Sequence, residues 1–151
     1  MIVKTLDHLN LISKKIANKI SKKDNIYLFG EIGVGKTTFA RNLINNLQLR
    51  ENVKATNVLS PTYNIMFEYK IKKLKVLHYD FYRLGDMEEI EKLGFFYSNE
   101  DIVNIIEWPQ LLNYKNPDRL EIYLSYVKNE NERELKFITK GKWSELSLNE
   151  L

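Results

Sequence analysis

The stretch from Ile26 to Thr38 constrains this chain more than any other. It reads Ile-Tyr-Leu-Phe-Gly-Glu-Ile-Gly-Val-Gly-Lys-Thr-Thr. Four apolar residues in a row describe a strand buried on both faces, and Gly30-x-x-x-x-Gly35-Lys36-Thr37 follows directly, with helical periodicity behind it. A strand, a glycine-rich turn and a helix in that order form the setting of a phosphate-binding loop.

The chemistry accounts for the spacing. A triphosphate needs several donors converging on a small volume, and successive backbone N–H groups from Gly30 through Ile32, Gly33, Val34 and Gly35 to Thr38 supply them, helped by the positive end of the following helix. Gly30, Gly33 and Gly35 let the backbone approach closely and take positive φ. Lys36 reaches the β and γ oxygens as a point charge, and the Thr37 hydroxyl takes one place in the shell of Mg²⁺. Nucleotide binding with ATP and Mg²⁺ is therefore the expectation on which the others are built. The fold that suits it is α/β: a P-loop NTPase-like three-layer arrangement with a mixed, mainly parallel central sheet and antiparallel hairpins.

At 151 residues the chain fits a single domain, 1–151, and its 44% hydrophobic and 28% charged fractions suit a soluble globular protein. The net charge of +3 allows an anionic partner without requiring one. Lys14, Lys15, Lys19, Lys22 and Lys23 read mainly as a solvated helix face and its exit. With no cysteine, disulfides and thiolate metal sites are excluded, and two distant histidines, His8 and His78, give no basis for zinc. The first residues lack the apolar core of a signal peptide and no run approaches a membrane span, so a cytoplasmic location is expected.

In chain order, Leu6, Leu9, Ile12, Ile16 and Ile20 predict an amphipathic helix over 6–21 capped by Thr5. The helix after the loop is expected over 36–47, with Phe39, Ala40, Leu43, Ile44 and Leu47 inward. Residues 48–60 read as irregular, ending in Ser60-Pro61-Thr62, a stiff bend bearing two hydroxyls. Downstream of a phosphate loop such a bend can sense a γ-phosphate; a plain loop-to-strand turn is the alternative. Residues 63–69 and 74–79 predict an antiparallel hairpin, 85–93 a short acidic helix stopped by Gly94, 102–106 a buried strand, and 122–127 with 135–139 a closing hairpin. Residues 141–151 read as a short helix or a frayed end.

Two acids compete for the cation. Asp80 lies just past one apolar strand, and Glu107 caps the stronger run Ile102-Val103-Asn104-Ile105-Ile106. Around them, His78 reads first as a satisfied strand-end histidine and second as a base. Arg83 reads as an ion-pair partner of the acidic helix, with transition-state stabilisation as the alternative. Trp108, before Pro109, marks a strand-to-loop corner packed near the site.

The set formed by the loop, Ser60-Pro61-Thr62-Tyr63, His78-Tyr79-Asp80-Phe81-Tyr82-Arg83-Leu84 and Glu107-Trp108-Pro109 resembles the TsaE (YjeE) family of small bacterial ATPases. The resemblance runs from the first helix to at least Pro109. It implies ATP hydrolysis in support of the TsaB and TsaD proteins, which make the threonylcarbamoyl modification of the tRNA adenosine next to the anticodon, with tRNA met only through that complex. It further implies that Lys36 and Thr37 hold phosphate and Mg²⁺, and that Glu107 is the acidic metal ligand. Asp80 would be needed for hydrolysis and Ser60-Pro61-Thr62 would form a switch-like loop. By the same analogy adenine lies near Thr5, and Arg133 matches an arginine on the nucleotide side. Two other functions suit the loop itself: a small nucleoside or nucleotide kinase, which would need an arginine-bearing lid, and a nucleotide-gated interaction module without catalysis.

Overall fold

The computed structural model describes residues 1–95, 101–129 and 131–147. Seven strands form one sheet: β1 (Ile2–Val3), β2 (Asn25–Phe29), β3 (Met66–Ile71), β4 (Leu74–Asp80), β5 (Ile102–Glu107), β6 (Arg119–Tyr126) and β7 (Arg133–Lys140). Their order across the sheet is β1-β7-β6-β2-β5-β4-β3. The central four, β6, β2, β5 and β4, run parallel, and the three outer pairings are antiparallel. The expected mixed, mainly parallel centre with hairpins at its edges is what the chain adopts.

Alternation along the strands divides the core. Ile26 and Leu28, Val103 and Ile105, and Leu120, Ile122 and Leu124 face α1 (Leu6–Ala17) and α2 (Lys36–Arg50). Tyr27, Tyr79, Phe81 and Ile106 face the other way, against α3 (Met87–Lys92) and the turn at Pro109–Leu111. Every residue of β2 is buried, which is why its sequence shows an apolar run without a period of two. From β2 the chain crosses by way of α2 to β4 and β5 on one side and later returns to β6 on the other. The carboxyl end of β2 is thus the switch point where a parallel sheet opens a crevice.

Several boundaries differ from expectation for identifiable reasons. Helix α1 stops at Ala17 rather than at 21. The N–H groups of Lys19 and Ile20 bond three residues back, and Arg50 Nη1 donates to the carbonyls of Ala17 (2.6 Å) and Ile20 (2.7 Å). That docking also carries α2 three residues past its expected end. Leu6 does not join the core stripe; it is 72% exposed. β3 begins at Met66 because Ile65 N–H closes a turn onto Pro61 O, with Ile65 at φ 66°. Strand β1 had no sequence signal, since two residues cannot show a period. At the carboxyl end, Gly141–Glu145 forms a short 3₁₀ helix. Trp143 Nε1–H and Lys142 Nζ tie it to buried Asp24. The remainder of the expected tail, 148–151, lies outside the described residues, as does Glu130 in the closing hairpin's turn. Among the described residues no helix is long and apolar enough to cross a membrane.

Candidate functional site

The glycine-rich loop leaves β2 into a space that admits no side chain at Gly30. A Cβ there would lie 2.4 Å from Leu124 O and 2.8 Å from Val34 Cγ1, at a φ of 142°. Gly35, at φ 114°, opens α2 without a side-chain cap, and the first turn of the helix carries no acidic residue. The amino-terminal N–H groups of α2 therefore face the crevice with their partial positive charge uncompensated locally. Lys36 lies folded over this loop, with Nζ donating to Gly30 O and Glu31 O, each at 2.8 Å, and 4.0 Å from the Trp108 ring centroid. Burial pushes its ammonium below the ordinary lysine value, and the nearby Glu107 and Asp80 carboxylates oppose that shift.

Two residues of the closing hairpin brace the loop from outside. Tyr126 Oη donates to Ile32 O at 3.0 Å, and Arg133 Nε donates to Val34 O at 3.1 Å while its guanidinium lies 4.5 Å from the Tyr126 ring centroid. Val34 itself is buried under the loop, whereas Ile32 is 64% exposed. Both were expected to act through their backbone N–H groups, and that of Val34 here donates to Glu31 O at 3.4 Å.

The two acids meet at the ends of neighbouring strands, Asp80 opposite Glu107 in register. The Thr37 hydroxyl donates to Glu107 Oε2 at 2.9 Å, and His78 Nε2 lies 2.9 Å from Glu107 Oε1. Asp80 accepts from the Thr62 hydroxyl (Oδ2, 2.6 Å) and from Tyr82 N–H (Oδ1, 2.9 Å), and Ser60 Oγ is 3.0 Å from Thr62 Oγ1. The Ser60-Pro61-Thr62 bend is thus tied by hydroxyls to one of the acids. Trp108 turns the chain in the left-handed region, at φ 57° and ψ 53°, a conformation that costs a non-glycine residue about 1–3 kcal/mol. The turn sets its ring against Lys36 and, at 4.9 Å, against Tyr82.

These groups line a cleft of about 260 Å³ that includes Lys36, Thr37, Thr38, Thr62, Asp80 and Glu107. Ile32, Gly33 and Gly35 complete its loop side. A second cleft of about 410 Å³ opens across the loop, with Thr5, Leu6, Val34, Thr38, Leu124 and Arg133 in its wall. Thr5 caps α1 by accepting His8 N–H, so one residue serves helix and cleft together. Arg83 departs from expectation: its guanidinium lies 5.1 Å from the Tyr63 ring centroid, and no ion pair with the acidic helix forms among the described residues. The acidic helix is occupied with its own amino end, where Asp86 Oδ1 accepts Glu89 N–H. Sequence reasoning missed the Tyr126 brace and the link between His78 and Glu107.

Chemically, a cradle of N–H groups and one ammonium suits an anion, and two carboxylates stand beside it. Among the described residues no three or more His, Cys, Asp or Glu side chains converge as they would for a cation held by protein alone. A hard cation that takes one or two protein oxygens and completes its shell from phosphate and water fits the Thr37 hydroxyl and Glu107 carboxylate.

The family model described as "Threonylcarbamoyl adenosine biosynthesis protein TsaE" matches residues 3–135. The tRNA threonylcarbamoyladenosine biosynthesis protein TsaE of Rickettsia felis is 33% identical over 147 residues, 97% of this chain and 83% of that protein. The TsaE protein of Bacillus subtilis is 30% identical over 141 residues, 93% of this chain and 85% of its own. The crystal structure of Bacillus subtilis YdiB superposes with a TM-score of 0.72 at 25% identity, covering 95% of this chain and 87% of that one.

Proposed function

The chain belongs to the TsaE family of tRNA threonylcarbamoyladenosine biosynthesis proteins, and from that membership and the geometry of the cleft we propose that it is a Mg-ATP hydrolase. Its turnover supports the TsaB and TsaD proteins, and it meets tRNA only through them. The observation that carries the reading is the junction of Thr37 and Glu107 at 2.9 Å, beside Lys36 and under the open end of α2. A hydroxyl and a carboxylate at that place are the donors a nucleotide-bound magnesium ion needs.

Each residue then has a task. The loop N–H groups and Lys36 hold the β- and γ-phosphates, which requires the Lys36 ammonium to leave the carbonyls of Gly30 and Glu31. Thr37 and Glu107 would hold Mg²⁺, which supplies charge neutralisation on the phosphate oxygens when bound. Asp80, aimed by Thr62 and Tyr82 N–H, orients the attacking water, and the bend at Ser60 to Thr62 couples that aim to the γ-phosphate. The second cleft, with Thr5 and Arg133 in its wall, offers the base and ribose a place on the far side of the loop. No arginine lines the first cleft among the described residues, so isolated turnover is slow and a partner completes the site.

Phosphate release from Mg-ATP, measured with and without TsaB and TsaD, tests the reading. A rate raised by the two partners, with phosphate passing to water, is the expected result. A rate indifferent to them, or phosphate passed to an added nucleoside, would overturn it.

A further inference from the structure

His78 stands on β4 two residues before Asp80 and so shares its face of the sheet, the face on which Glu107 also lies. The ring is fully buried, at 0% exposure. Its Nε2 meets Glu107 Oε1 at 2.9 Å, while Glu107 Oε2 is the oxygen that accepts Thr37. The other ring nitrogen, Nδ1, is buried with no hydrogen-bond partner.

These facts select one arrangement of the ring. A carboxylate only accepts hydrogen bonds, so Nε2 must carry the hydrogen. The opposite tautomer would set two acceptors against each other and bury an N–H group with nothing to receive it. Glu107 is then held at one oxygen by a fully buried ring, while the other oxygen, which accepts the Thr37 hydroxyl, is the one turned toward the cleft.

We propose that His78 is a positioning residue: it anchors Oε1 of Glu107 so that Oε2 alone is presented to the cleft, and thereby sets how tightly the site takes a divalent cation. The proposal rests on the nucleotide-binding reading above for the identity of what Oε2 faces. It differs from a packing role in one respect, because it depends on a donor at the Nε2 position rather than on the volume of the ring.

Gln and Asn separate the two roles. The amide nitrogen of glutamine falls near the place of Nε2, and that of asparagine near the place of Nδ1. The affinity of a fluorescent ATP analogue is measured in EDTA and then across a magnesium titration, for the wild type, His78→Gln and His78→Asn. In EDTA all three bind alike. The half-saturating magnesium concentration rises about 10- to 100-fold in His78→Asn, the range seen when a group orienting a metal ligand is removed, and stays within about threefold of wild type in His78→Gln. Equal magnesium responses in the two variants would overturn the proposal. Failure of the wild type to bind nucleotide in EDTA or in magnesium would overturn the nucleotide reading instead. Should neither variant fold, the imidazole ¹⁵N spectrum of the wild-type protein decides. Hydrogen on Nε2 of His78 supports the anchor, and hydrogen on Nδ1 refutes it.

Discussion

Asp80 and Glu107 stand opposite each other across β4 and β5 and are almost equally buried, at 3% and 1% exposure, yet they are restrained by different kinds of partner. Glu107 is held by Thr37, fixed at the start of a long helix, and by His78, locked inside the sheet. Asp80 is held by Thr62 and Tyr82 N–H, which belong to the half-buried bend at Ser60-Pro61-Thr62 and to the loop after β4. Depth of burial therefore does not distinguish the two acids. What distinguishes them is where their partners sit: those of Glu107 on a helix and a strand, those of Asp80 in a bend and a loop. In the proposed function this assigns the metal to Glu107 and the orientation of water to Asp80.

The largest effect should come from removing Lys36, the phosphate-holding ammonium of the proposed function. Lys36→Met is expected to abolish ATP binding while raising the stability of the ligand-free protein. Because burial lowers the ammonium's pKa, the unfolded chain binds more protons between that lowered value and 10.5, and wild-type stability rises with pH across this window. The variant should lose that rise, which thermal unfolding at successive alkaline pH values will show. Next, Asp80→Asn is expected to lower partner-stimulated phosphate release by about 10²–10³-fold and to leave Mg-ATP affinity nearly unchanged, as read by nucleotide titration. Thr62→Val removes one hydrogen bond to a charged group, worth about 1.5–3 kcal/mol, and should slow phosphate release about tenfold or more, with Thr62→Ser recovering most of it. The smallest effect should follow Tyr126→Phe. Loss of its bond to Ile32 O costs about 1 kcal/mol, roughly a fivefold weaker nucleotide affinity, with the rate at saturation preserved and both acids affected alike.

The legible parts of the molecule were those whose cause is local. The spacing of Gly30, Gly33 and Gly35 reports backbone demands within six residues, and the run Ile26 to Phe29 reports burial on both faces of one strand. Glu107 and Asp80 announced themselves as polar ends of apolar runs. The rest depends on contacts between distant segments. Tyr126 reaches the loop across 94 residues with nothing in its neighbourhood to mark it, and Arg133, across 99, was indicated only by the family resemblance. Arg50 extends α2 because Ala17, at the end of α1, and Ile20, just past it, offer it two carbonyls, a tertiary effect that overrides the irregular reading of 48–60. His78 was within reach: its separation of two from Asp80 places both on one face, although the identity of its partner needed the register of β4 against β5. Leu6 had the right spacing for the core and failed because it lies at the rim of the second cleft, where the helix begins.

The division of labour between the two acids can be read directly with Mn²⁺ in place of Mg²⁺. Electron spin resonance of the manganese ion in the presence of ATP reports whether protein, nucleotide and metal form one complex. Glu107→Gln is expected to lose the protein-bound manganese signal while Asp80→Asn retains it. A signal kept by Glu107→Gln and lost by Asp80→Asn would contradict that division.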